Sequence, residues 1–243
     1  MASARRRPPA RLDNLPLRAQ LRVDRLGLRL AQMMLGLSGF GVSLALLLES
    51  GLGGAPWDVL HAALAERLGL TVGSVSIGVS FLLLLAWLPL RERIGIGTVA
   101  NALWVGICID LGMLVLPAAD GLPLAVGMML AAVVLNGVSG AVYIGAQLGA
   151  GPRDGLMTGL GSVLSRPVGP VRIALEVLVL LTGWALGGPL GVGTVVYALG
   201  LGPIIQLTLP HVIHPVRSIG DRPLPDPAGG ADPATLPDAP SGR

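Results

Sequence analysis

Three acidic residues, a histidine and two prolines carry the chemistry this sequence offers. Asp58 and Asp154 close two copies of one string, Pro56 and Pro152 stand two places before them, His61 follows Asp58 by one turn, and Glu176 lies inside an apolar run. Leu-Gly-Gly-Ala-Pro-Trp-Asp at 52–58 returns as Leu-Gly-Ala-Gly-Pro-Arg-Asp at 148–154, an offset of 96 residues. Proline suits the first position of a helix because its missing amide would go unpaired there. Aspartate in the first turn meets free amides and the positive end of the helix dipole. Each string therefore predicts the start of a short helix, running to about Leu68 in one copy and Leu164 in the other. Such helices are too short to cross about 30 Å of hydrocarbon, but fit a re-entrant half-helix or one lying in the interface. Two readings stand together. In the plain one, proline and aspartate only begin helices. In the functional one, two helix ends and their carboxylates aim at a shared midplane site that binds an anion through amides, or a cation or proton through Asp58 and Asp154. His61 then either joins a proton relay or merely sits at the lipid interface or bonds a carbonyl.

Ionisable residues inside apolar runs are costly and are candidates for function by default. Glu176 has Arg172 one turn earlier on the same helix face, where the first copy has Ser80 and Ser76. It faces a polar cavity or closes an ion pair. Asp110, matched by Gln206, and Asn101, matched by Tyr197, follow it; His211 and His214 end the last run and read as interfacial. Gly-Ile-Gly-Thr-Val at 95–99 pairs with Gly-Val-Gly-Thr-Val at 191–195. No strand precedes it and the third glycine is missing, so it is no dinucleotide fingerprint; it predicts a tight entry turn with Thr98 and Thr194 bonding backbone. Gly151, Gly155 and Gly159 allow close helix approach in the second copy only, since the first has Ala55, Val59 and Ala63. Metal-ligand spacing, nucleophile elbow, phosphate loop and paired-carboxylate patterns are all missing. The chain is not expected to be an enzyme, and no cofactor or metal is implied.

The elements that must position these residues follow from composition. With 52% hydrophobic and 13% charged residues and a mean hydropathy of +0.73, against about a quarter charged in soluble domains, this is a membrane protein. Its basic side is entirely arginine, much of it before residue 30, so the high pI describes a tail and gives no support to nucleic-acid binding. The lone Cys108 excludes an intrachain disulfide. The self-match at 96 residues runs without a gap from Gly41 on Gly137 to Leu111 on Leu207, which marks a duplicated unit. Apolar runs at roughly 30–50, 72–90, 95–116, 122–147, 168–188 and 191–213 predict six spans. The predicted fold is all-α, six transmembrane helices as two inverted three-helix repeats, each with a short re-entrant or interfacial helix: repeat 1 over 30–117 and repeat 2 over 122–213. An odd number of spans per repeat is what inverts the second copy. Arg91, Arg93, Arg153, Arg166 and Arg217 fall on one side and Arg67 on the other, which places both termini in the cytoplasm. Residues 1–29 read as a basic cytoplasmic segment whose Arg18, Arg22, Arg25 and Arg29 form a helical stripe, suited to anionic lipids or to setting topology alone. Residues 217–243, rich in proline, read as a disordered cytoplasmic tail.

The glycine-rich Pro-Trp-Asp-Val-Leu segment, Thr-Val-Gly-Ser-Val-Ser-Ile-Gly at 71–78 and Gly-Ile-Gly-Thr-Val together resemble the YczE/YyaS/YitT family of bacterial integral membrane proteins, over roughly residues 30–213. The resemblance implies a multi-pass protein of the bacterial plasma membrane and supplies no catalytic residues. Arg153 departs from the motif, standing where the first copy has Trp57. The inverted repeat and paired helix starts point to a transporter or channel for a small solute. The alternative is a non-transporting scaffold or regulatory partner docked through the arginine stripe. Solute identity, coupling ion and oligomeric state are not encoded in any motif.

Overall fold

The computed structural model describes residues 20, 21 and 23–213. Among them are eight helices and no strand: α1 (Leu26–Glu49), α2 (Pro56–Leu68), α3 (Val72–Leu90), α4 (Ile96–Val115), α5 (Leu122–Gly145), α6 (Pro152–Val163), α7 (Val168–Ala185) and α8 (Val192–Val212). All but α2 and α6 are long and apolar enough to cross a membrane, six in number and placed where the apolar runs predict. α2 and α6 start at the two prolines, with Asp58 and Asp154 in their first turns.

The amino-terminal reading needs correction over the residues described. Arg25 adopts a left-handed backbone (φ 53°), which interrupts the helical period between Arg22 and Arg29. α1 begins at Leu26, so the boundary drawn at 29 falls inside the first span. Arg29 is buried, its Nε donating to the Asp24 carbonyl and its Nη1 to the Ala146 carbonyl, so it cannot present a basic stripe to lipid. Arg18, Arg22 and the tail at 217–243 lie outside the described residues.

Between helices in a bilayer there is no hydrophobic driving force, so small residues that let backbones approach set the packing. α1 and α5 are the most buried spans and cross at the centre. Gly36 of α1 leaves no room for a side chain against the Tyr143 backbone, and Gly41 none against Cys108 of α4. α4 flanks α1 and α8 flanks α5, making a four-helix core. The remaining four helices form a second layer, with α2 on α7 and α6 on α3. α3 also packs along α4, where Gly73 and Gly106 bring the two backbones together, but its counterpart α7 has no comparable packing on α8. Leu82, Leu88, Leu114, Leu199 and Leu207 point outward from the spans, a face that only lipid or another apolar surface solvates.

Candidate functional site: a charged cavity between the layers

The site is framed by the two matched strings, which meet crosswise. The Gly97 amide at the start of α4 donates to the Leu148 carbonyl at 2.7 Å, and the Gly193 amide at the start of α8 donates to the Leu52 carbonyl at 2.7 Å. Each copy of one string thus anchors the other repeat. Gly53 and Gly149 turn the chain into these bonds with positive φ (118° and 122°), where a side chain would also strike the Thr194 and Thr98 hydroxyls. Thr98 Oγ1 accepts from its own Gly95 amide at 3.1 Å and donates to the Ala150 carbonyl at 2.7 Å; Thr194 Oγ1 stands 3.5 Å from the Gly191 amide. The entry turn expected from the glycine-threonine strings is therefore present in both halves. Thr98→Val should cost about 1–3 kcal/mol, because it leaves a buried donor and acceptor unmade. Thr194→Val, at the longer bond, should cost less, as read by thermal or denaturant unfolding in detergent.

Between the four-helix core and the second layer lies a cavity of about 120 Å³ to which every helix contributes. Its charged lining is Arg153 and Asp154 from α6 with Arg172 and Glu176 from α7; its polar and aromatic lining includes Trp57, Ser76, Asn101, Tyr143 and Tyr197. Asp154 is solvent-accessible although it lies in the first turn of an internal helix, because the cavity opens in front of it. Its carboxylate also reaches back to the Gly151 amide at the head of α6. Glu176 Oε1 accepts from Arg172 Nε at 2.9 Å, so this pair is an ion pair and cavity lining at once. Asp154, with Tyr143 and Ile144, also lines a second cavity of about 410 Å³ that runs to Glu92 and Arg93. It stands where the two spaces meet.

The first copy does something else. Asp58 and His61 are almost wholly buried, and His61 Nδ1 donates to Asp58 Oδ1 at 3.1 Å. Asp58 Oδ2, His61 Nε2 and Trp57 Nε1 are buried without a hydrogen-bond partner. Burial holds the imidazole below its ordinary protonation range, against the bond to Asp58, which favours the charged form. Arg153 joins the two environments: its Nη2 is 3.9 Å from Asp58 Oδ1 and its guanidinium lies 5.3 Å from the centre of the Trp57 ring. Trp57 and Arg153 occupy the same place in the two strings and meet here, cation over ring.

Of the residues singled out from sequence, Pro56, Asp154 and Glu176 line the cavity. Asp58 and His61 sit behind it in the closed pair, and Pro152 turns its carbonyl to Trp87 Nε1 at 2.9 Å. Asn101 lines the cavity as well. Asp110 instead caps α3, accepting from the Gly73 amide at 2.7 Å and from Thr71 Oγ1 at 2.6 Å, which is what a carboxylate at a helix start does. His211 is exposed and its ring lies against the Leu207 carbonyl; His214 lies outside the described residues. Sequence reasoning missed Asn136, fully buried on α5, which donates to Ser43 Oγ at 2.7 Å and accepts from Tyr197 OH at 2.9 Å, joining α1, α5 and α8. The one signal for it was an asparagine inside a predicted span.

A family model described as Family of unknown function (DUF6198) matches residues 27–210. The chain is 37% identical over 175 residues to an uncharacterized membrane protein of Bacillus subtilis, YczE, covering 72% of this chain and 81% of that protein. It is 34% identical over 186 residues to an uncharacterized protein of Haemophilus influenzae, covering 74% of this chain and 85% of the relative. YyaS of Bacillus subtilis is 28% identical over 183 residues, 73% of this chain and 90% of that protein. The motif-based resemblance thus holds for the YczE and YyaS proteins. No solved structure matches the chain.

Proposed function

The chain belongs to the Family of unknown function (DUF6198), and from that premise we propose that this multi-pass membrane protein moves a small polar solute through the cavity between its two layers. The observation that carries the reading is the cavity itself, walled by all eight helices and holding two carboxylates and two guanidiniums at the depth of the spans. Charges there cost several kcal/mol unless paired or solvated, and they mark solute and ion paths. Asp154, shared by both cavities, is the residue a solute must pass.

The reciprocal bonds between the strings and the odd number of spans per repeat support two repeats of opposite orientation, with α2 and α6 as short helices entering from opposite faces. The arginine distribution supports both termini in the cytoplasm of a bacterial plasma membrane.

The test has two stages. A thermal-shift screen of small polar solutes on the purified protein should yield a compound that raises the melting temperature by mass action. Uptake of that compound into reconstituted vesicles should then fall about ten- to a hundredfold in Asp154→Asn, the loss of one charge-assisted contact of about 1.5–3 kcal/mol. Asp110→Asn, whose carboxylate caps α3 away from the cavity, should keep wild-type uptake wherever it folds. Full uptake in Asp154→Asn would remove the proposed path.

A further inference from the structure

Four charges line the cavity, Arg153 and Asp154 on α6 with Arg172 and Glu176 on α7, and a fifth, Asp58 on α2, sits behind it within reach of Arg153. Three are acidic and two basic, so with His61 neutral the group is one positive charge short of balance. α3, which packs on α2, offers no ionisable side chain along its length, and α8 offers Tyr197, whose hydroxyl is committed to Asn136. The place left for the missing charge is the closed end, where Asp58 Oδ2 and His61 Nε2 are buried without partners. The donor set there is one carboxylate and one imidazole. Among the described residues no group of three or more His, Cys, Asp or Glu side chains gathers that could hold a metal, and Ca²⁺ or Mg²⁺ would need six or more oxygens. A proton needs only the two atoms present.

We propose that the Asp58–His61 pair is a proton-binding site whose occupancy is tied, through Arg153, to the charge held in the cavity. Arg153 is shared: its Nη2 stands 3.9 Å from Asp58 Oδ1, its charge also acts on Asp154, and its guanidinium lies over the Trp57 ring. A proton on the pair leaves the Arg153 charge to Asp154. A cation bound at Asp154 returns it to Asp58 and drives the proton off. With the pair unprotonated, Arg153 is expected where it stands, its Nη2 3.9 Å from Asp58 Oδ1. The linkage deepens the solute-path reading above and rests on the same cavity, but its test needs no solute.

The chain has three histidines, so ¹⁵N-histidine NMR of the full protein in nanodiscs gives three pairs of ring-nitrogen signals, and His61→Gln identifies one pair. Arg153→Gln should raise the His61 midpoint by about one pH unit, the usual effect of removing a nearby like charge. Arg153→Lys, which keeps the charge, should leave the midpoint close to wild type. Asp154→Asn should lower it, since both its own charge and its claim on Arg153 are gone. A His61 midpoint unchanged in Arg153→Gln and Asp154→Asn, or a ring neutral from about pH 8 to about pH 4 in wild type and Arg153→Gln alike, overturns the proposal. Shifts of the expected sign with no stabilising solute would keep this linkage and remove the transport reading; the reverse pattern would do the opposite.

Discussion

Gly155→Val should leave little monodisperse protein after detergent extraction, and a second change, Trp87→Gly, should restore much of it. A Cβ at Gly155 would overlap the Trp87 ring, which is held in place by its Nε1 bond to the Pro152 carbonyl. Overpacking a filled core costs about 1–3 kcal/mol even where neighbours can shift, and here the ring has little room to yield. The other half of the molecule has already solved the problem in reverse. Val59 occupies the position of Gly155, and Gly183 occupies the position of Trp87, with the α2 backbone at Val59 and Leu60 lying directly against it. The double variant copies that arrangement into the α6–α3 contact. Fluorescence-detected size exclusion and thermal unfolding of both singles and the double give the coupling directly. A double variant no better than Gly155→Val alone would show that the two contacts are not interchangeable.

The second large effect is expected at Gly191. Its backbone is extended (φ −162°), a conformation any residue adopts, so the penalty of Gly191→Ala is steric alone. The added methyl would overlap the Leu52 carbonyl oxygen, the acceptor of the Gly193 bond that ties the first string to α8. Because the obstacle is backbone, the chain must part there, and a loss at or above the upper end of about 1–3 kcal/mol is expected. Gly95→Ala makes the same change in the other repeat. There the nearest atoms, the Gln20 side-chain amide and the Leu148 carbonyl, both stand at 2.7 Å, further off than the Leu52 oxygen is from Gly191, so the loss should be smaller. Equal stability of Gly191→Ala and wild type in a denaturant or thermal titration would mean the crosswise anchor is not under the constraint the geometry describes.

Much of the fold was legible because it is written periodically. Apolar runs long enough to span, and a proline with an aspartate two places later, depend on local chemistry alone; they gave the six spans and the starts of α2 and α6 to within a few residues. The site was less legible because it is built where the two copies differ. Trp57 and Arg153, Ser76 and Arg172, Ser80 and Glu176, Asn101 and Tyr197 are matched positions with unlike residues, and all eight line the cavity. Identity between copies points to the frame: glycines at backbone contacts, threonines at entry turns, aspartates in first turns. It also made Asp58 and Asp154 look equivalent, although one is sealed beside His61 and the other opens to the cavity. What separates them is the residue before each, tryptophan or arginine, and no rule of spacing announces that those two will meet. The amino terminus misled for a different reason. A four-three-four arginine spacing is helical only if every residue between is helical, and Arg25 is not.

The crosswise anchoring makes the two halves mutually dependent. In a single repeat the Leu52 carbonyl and the Gly97 amide would have no mates, because each finds its mate on the other copy: Gly193 for one, Leu148 for the other. Neither half can therefore complete the hydrogen bonding of its own string without the other. The same dependence joins the halves at Trp57 and Arg153, matched positions whose unlike side chains complete one contact between them.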